Sequence, residues 1–339
     1  MSFSTTVSFS TEISSLSLEN HFAQSEIKSK LPLDFTLNDE RLALNEGHNI
    51  DSSKPELVVF SDLTLQNLLL LQGNGYFTID SLIAINTRNN QTSYRFNVTC
   101  TDFIKSRQAI ADFALANKIE AALILNAPKL NTPGLLVMDM DSTTIEIECI
   151  DEIAKLAGVG EEVSAVTELA MQGQLDFSQS LHQRVATLAN APEKILADVA
   201  KNIPLMAGLE TLISELKKHN WRIAVASGGF TYFADHLKDM LALDATFANV
   251  LEIVDGKLTG KVLGSVVDAQ VKADSLNLLA DKYQIPHAQT VAMGDGANDL
   301  VMMAAANFGV AFHAKPIVLA QADSSINQQG LDCLLHWLA

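Results

Sequence analysis

The chain has 339 residues, 48% hydrophobic and 19% charged, which allows two or three packed domains and excludes collagen-like and wholly disordered readings. Lys and Arg number 23 against 40 Asp and Glu, a formal charge of −17 that repels phosphate backbones and argues against nucleic-acid binding. No apolar run approaches the roughly 18–20 residues of a membrane span, and no Lys or Arg precedes Lys28, so no membrane partner, secretory signal or transit peptide is expected and the cytoplasm is the expected compartment.

Residues 1–30 are rich in Ser and Thr and lack periodicity, which predicts a loosely packed start. Glu56–Phe60 reads as a strand and Leu63–Gln72 as a helix. Phe77–Ile85 and Ser93–Cys100 read as strands about an Asn89-Asn90 turn, Phe103–Asn117 as a helix and Ala121–Asn126 as a strand. That β-α-β-β-α-β order predicts a ferredoxin-like α+β domain, and no catalytic constellation falls within it. Ala127–Pro133, with two prolines, reads as a linker. Cys100, Cys149 and Cys333 show no Cys-x-x-Cys spacing, so neither a zinc site nor a disulfide framework is expected.

Beyond the linker, Gly134–Met138 is a continuous apolar run, as in a strand buried on both faces of a parallel sheet. Residues 150 to about 201 are helical by pattern. Arg222–Ala226, Thr290–Met293 and Phe308–Phe312 are further short strands, with helices between them that include Ala269–Tyr283. This order predicts an α/β domain with a doubly wound parallel sheet and a helical insert after its first strand. Asn249–Val262 reads as a hairpin turning at Asp255-Gly256.

Asp139-Met140-Asp141 places two carboxylates at the C-terminal end of that first strand, the edge at which open α/β sheets bind ligands. Such neighbours repel unless a divalent cation or a retained proton intervenes. Alone, an Asp-x-Asp is more often a pair of solvated loop acids. Gly294-Asp295-Gly296-Ala297-Asn298-Asp299 follows another apolar strand and brings two more carboxylates to the same edge, a hard-oxygen set that suits Mg²⁺. Ser227-Gly228-Gly229, read as a strand-to-helix turn, offers a hydroxyl and free amides to an anion. Lys272, near the start of its helix, offers a positive charge.

These four pieces, in this order, resemble the haloacid dehalogenase superfamily. DMDSTTIEIECIDEIA, the Gly-x-Leu-Asp-Phe-Ser-x-Ser-Leu helix opening, VASGGF and MGDGANDLVM are together similar to its phosphoserine phosphatase family. The resemblance covers about residues 131–339 and implies a phosphatase domain with a helical cap at about 147–205. Residues 1–128 resemble, by position and strand order, the ACT-like domain of some bacterial members; such domains bind small amino acids or mediate dimerisation, so a regulatory role and a homodimer are both open.

The resemblance implies Mg²⁺-dependent hydrolysis of O-phosphoserine, the last step of serine biosynthesis, through an aspartyl-phosphate. Asp139 matches the nucleophile and Asp141 the general acid and base. Mg²⁺ would sit among Asp139, the Asp141 main-chain carbonyl and Asp295, supported from behind by Asp299. Ser227, the Gly228 N–H, Lys272 and Asn298 would hold the phosphoryl group. Glu148 would read the substrate ammonium and Arg184 its carboxylate, while Phe177 and Met171 would close over it. Asp176 and Gln179 have the spacing of a capping box, and Phe177 and Arg184 stand two turns apart on one helical face. Cys149 reads as a small buried apolar residue. A transferase acting on another acceptor alcohol and a non-catalytic amino-acid-binding regulator are the competing readings. Retention of four costly polar groups, Asp139, Asp141, Lys272 and Asp295, argues against the second.

Overall fold

A computed structural model of the chain describes residues 9–12, 17–22, 25–38, 41–47, 50–60 and 62–339. Two compact units emerge: Met1–Ala127 together with Asp323–Ala339, and Pro128–Ala322.

The first unit carries β1 (Phe9–Glu12), β2 (Leu33–Leu37), β3 (Arg41–Glu46), β4 (Glu56–Phe60), β5 (Phe77–Arg88), β6 (Gln91–Cys100) and β7 (Ala121–Ile124), ordered β1-β3-β2-β5-β6-β4-β7. The expected β-α-β-β-α-β run is present from β4 to β7. Its strands β5-β6-β4-β7 are antiparallel neighbours, the split arrangement of a ferredoxin-like fold. Asn89 and Asn90 both have positive φ, 48° and 60°, as a two-residue hairpin turn requires. The expectation of a loose start needs correction where residues are described; 1–8, 13–16 and 23–24 lie outside them. Leu18, Phe22 and Ile27 are buried in the core, and Phe22 meets Tyr94 edge-on with ring centroids 5.1 Å apart. The β2–β3 hairpin, absent from the sequence reading, buries Leu33, Phe35 and Leu37 on one face by strict alternation.

A second correction concerns the C-terminus. Residues 323–339 belong to the first unit, not to the phosphatase domain as expected for 131–339. Leu331, Cys333, Leu334, Leu335, Trp337 and Leu338 are buried. Arg95 donates through Nη2 to the carbonyls of His336, Trp337 and Leu338 at 3.0, 3.1 and 2.8 Å, satisfying acceptors that the end of the short helix Leu334–Trp337 leaves open.

The second unit carries β8 (Leu135–Met138), β9 (Arg222–Phe230), β10 (Ala245–Val254), β11 (Lys257–Leu263), β12 (Thr290–Gly294) and β13 (Phe308–Phe312), ordered β11-β10-β9-β8-β12-β13. All neighbours are parallel except β10 and β11. This is the doubly wound parallel sheet expected from the strand-then-helix order. All four residues of β8 are buried, and β8 lies between β9 and β12, where the winding reverses direction. Their C-terminal ends therefore flank one crevice. The insert after β8 is helical at Cys149–Ala157, Gly160–Met171, Phe177–Thr187 and Lys194–Ala200. Asp176 and Gln179 form the expected capping box, which fixes where the helix bearing Phe177 and Arg184 begins.

Candidate active site

Segments at the ends of β8, β9 and β12 meet the helical insert around a cavity of about 180 Å³. Asp139, Asp141, Glu148, Phe177, Arg184, Ser227, Gly228, Asp295 and Asn298 all line it. Lys272 and Asp299 are buried; Lys272 reaches Asp139 from within the protein and pairs with Asp299. Met171 does not line the cavity; it ends the helix Gly160–Met171 and is 80% exposed.

Asp139 is held from three sides. Its amide donates to the Met293 carbonyl at 2.9 Å, and its Oδ1 accepts from the Met140 N–H at 2.8 Å and from Lys272 Nζ at 2.7 Å. Both of these contacts are made by Oδ1, and no hydrogen bond or ion pair to Oδ2 is seen among the described residues. Lys272 also bridges to Asp299 Oδ1 at 2.8 Å. Burial alone would push its ammonium down, but the Asp139 and Asp299 carboxylates outweigh it and hold the pKa above the usual lysine range. Asp299 Oδ2 accepts the Gly296 N–H at 3.0 Å. Burial, with the Asp139 charge beside it, raises the pKa of Asp299, and the Lys272 ammonium opposes that rise.

Asp141 is pushed up to about 8, first by burial and then by the Glu148 and Asp139 charges. It is therefore mostly protonated at neutral pH, while its Oδ1 accepts the Cys149 N–H at 3.1 Å. A Cβ on Gly229 would stand 2.8 Å from Asp141 Oδ2, so glycine is needed for the backbone to approach so closely. Glu148 accepts from Ser142 Oγ at 2.8 Å; burial raises its pKa too. Arg184 Nε is buried without a hydrogen-bond partner. Burial lowers the pKa of its guanidinium, opposed by the charges of Asp151, Glu148 and Asp141.

The Ser227-Gly228-Gly229 segment differs from its expected form. It is not a strand-to-helix turn but an extension of β9, and the next helix starts at Thr231. The Gly229 N–H donates to Ser227 Oγ at 2.8 Å, which leaves the hydroxyl proton available to an acceptor in the cavity. A Cβ on Gly228 would lie 2.5 Å from Phe177 Cζ. Gly228→Ala should therefore swing Phe177 aside and raise KM several-fold with little change in melting temperature. Steady-state kinetics with a thermal melt checks this, and an unchanged KM would show that Phe177 needs no such contact.

Oxygen atoms of Asp139, Asp295 and Asp299 lie within 4.8 Å of one another. Burial and the Asp139 charge raise the pKa of Asp295, the condition a bound cation relieves. An all-carboxylate donor set fits a hard divalent ion such as Mg²⁺.

Sequence reasoning missed Lys315, Leu181 and Ile150, which line the cavity, and Asn249, which is buried beside it. Lys315 carried a usable signal: it lies three residues past β13, at the same sheet edge, and its charge acts on Asp295 to favour the ionised form. Leu181 lies midway between Phe177 and Arg184, on the face they share.

A carboxylate with one oxygen unbonded, a second acid two residues on with a raised pKa and a cluster of acids behind are chemically suited to phosphoryl transfer. Residues 134–307 match the haloacid dehalogenase-like hydrolases. Phosphoserine phosphatase of Vibrio cholerae is 59% identical over 216 residues, which are 64% of this chain and 66% of that relative's length. A crystal structure of a probable phosphoserine phosphatase from Vibrio cholerae, unliganded, superimposes with a TM-score of 0.73 at 46% identity, covering 86% of this chain and 88% of that one. A solved phospho-aspartyl intermediate analogue of phosphoserine phosphatase gives 0.58 at 42% identity, over 61% of this chain and all of the other. The chain belongs to the phosphoserine phosphatases within the haloacid dehalogenase-like hydrolases.

Proposed function

We propose that the enzyme hydrolyses O-phosphoserine to serine and phosphate through an aspartyl-phosphate on Asp139, the last step of L-serine biosynthesis. The observation that carries this reading is Arg184: a half-buried arginine whose buried Nε has no partner, lining the same cavity as Asp139. Such a group lacks a partner that a substrate carboxylate would supply. Glu148 is the complementary site for the ammonium.

Asp139 Oδ2 forms a bond to phosphorus as the serine–oxygen bond to phosphorus breaks, and Asp141 gives its proton to the departing serine oxygen. Asp141, now a carboxylate, takes a proton from water, whose oxygen attacks phosphorus and frees Asp139. Ser227, the Gly228 N–H, Lys272 and Asn298 orient the phosphoryl oxygens. Asp139, Asp295 and the Asp141 carbonyl, with Asp299 behind, would hold Mg²⁺, which would supply positive charge against the phosphoryl group. Phe177 screens the cavity from water, and Met171, exposed in this structure, joins it only if the end of its helix moves inward.

Arg184→Ala should raise KM for O-phosphoserine by about 10–100-fold, the worth of a charge-assisted pair. It should have far less effect on O-phosphoethanolamine, which lacks the carboxylate. Equal losses on the two esters would remove the proposed contact, and no Mg²⁺-stimulated phosphate release from either would remove the function.

We propose further that residues 1–128 form an ACT-like unit that binds a small amino acid or pairs two copies of the chain, with 131–322 as catalytic domain and 147–205 as its cap. The ferredoxin-like strand order supports this. Comparing molecular mass and serine inhibition in the full chain and in a 128–322 fragment tests it; no change in either would leave the unit without that role. Cys100, Cys149 and Cys333 are all free.

A further inference from the structure

Parallel pairing of β9 with β10 runs Ala224 to Ala245, Val225 to Thr246 and Ala226 to Phe247, then resumes with Phe230 opposite Asn249. Three residues of β9, Ser227, Gly228 and Gly229, thus oppose the single residue Ala248. The phosphate-binding segment of the proposed function is a bulge, and a bulge leaves ladder groups without their strand partner.

Asn249 supplies one. Its side chain is 1% exposed. Nδ2 donates to the Gly228 carbonyl at 2.8 Å, and Oδ1 accepts the Val267 N–H at 2.8 Å. Val267 immediately precedes Asp268, whose side chain caps the helix Ala269–Tyr283 by accepting the Val271 N–H. Lys272 stands in the first turn of that helix and reaches Asp139. One amide therefore ties the segment bearing Ser227 and the Gly228 N–H to the helix bearing Lys272. An amide is suited to this because it donates at one end and accepts at the other; a carboxylate only accepts.

We infer that Asn249 is a positioning residue that sets the spacing of the two phosphoryl-binding walls. It touches no substrate and acts through Gly228 and Lys272. The inference rests on the phosphatase reading above.

The test compares wild type with Asn249→Asp, which keeps the acceptor for Val267 but sets a carboxylate against the Gly228 carbonyl. The readings are the competitive inhibition constant of inorganic phosphate, KM for O-phosphoserine and O-phosphoethanolamine, and the melting temperature. About a tenfold rise in the phosphate constant and in both KM values, with the KM ratio between the two esters unchanged, is expected, because Arg184 is untouched. General loosening of the fold would lower the melting temperature and the active fraction but leave the phosphate constant of the folded enzyme unmoved. That outcome, or wild-type values throughout, overturns the inference. If Asn249→Asp does not fold, Asn249→Ser takes its place, since one short hydroxyl cannot span both partners; the same results support or overturn. Wild-type enzyme that neither cleaves O-phosphoserine nor is inhibited by phosphate overturns the functional reading as well.

Discussion

Asp139→Asn should reduce phosphate release from O-phosphoserine to background, a loss of at least about 10⁴-fold, or roughly 5 kcal/mol of transition-state stabilisation. An amide is a poor nucleophile and carries no negative charge for the cation, so both contributions of this side chain disappear together. The fold should survive. Lys272 keeps Asp299 at 2.8 Å, and Asp299 is freed from the Asp139 charge that helps raise its pKa. A melting temperature near wild type with no turnover would separate loss of chemistry from loss of structure. Mg²⁺-dependent phosphate release at the wild-type rate would overturn the assignment.

The polar groups of this site are legible in the sequence for a physical reason. A parallel strand buried on both faces reads as a nearly continuous apolar run, so the first charged residue after it marks the sheet edge. Asp139 follows Leu135–Met138, and Asp295 follows Thr290–Gly294. The cap helix is legible through its capping box at Asp176 and Gln179. What a linear pattern does not carry is pairing between distant strands. Asn249 acquires its role from a register shift between β9 and β10, a relation between two segments about twenty residues apart. The apolar stretch Leu331–Leu338 announces burial but not which core receives it; Arg95 and the Phe60 ring, 5.8 Å from Trp337, are the partners that decide it. The β2–β3 hairpin is the plainest miss, since LDFTL alternates cleanly and could have been read as a strand.

The second large effect concerns Asp141, whose loss can be assigned to one half of the reaction by the choice of substrate. Serine leaves as an alkoxide and needs a proton; p-nitrophenolate is stable enough to leave without one. Asp141→Asn should therefore slow turnover of O-phosphoserine by about 10²–10⁴-fold, the usual worth of a positioned acid or base, with no burst of serine. On p-nitrophenyl phosphate the same variant should release one equivalent of p-nitrophenol rapidly and then stall, because the substituted amide cannot take the proton from the water that must cleave the acyl-phosphate. The pH dependence has a definite sign. The folded carboxyl titrates near 8 against an ordinary value of 3.8, so the metal-free folded protein holds a proton that the unfolded chain releases. Its contribution to stability is full below about 4 and is lost as pH rises through about 8. Asp141→Asn should flatten that decline in a chelator-treated sample. Stopped-flow absorbance measures the burst and denaturant melts across pH measure the slope. Equal slowing of both substrates with no burst on either would show that Asp141 acts before the leaving group departs in some other way, and the acid–base assignment would fall.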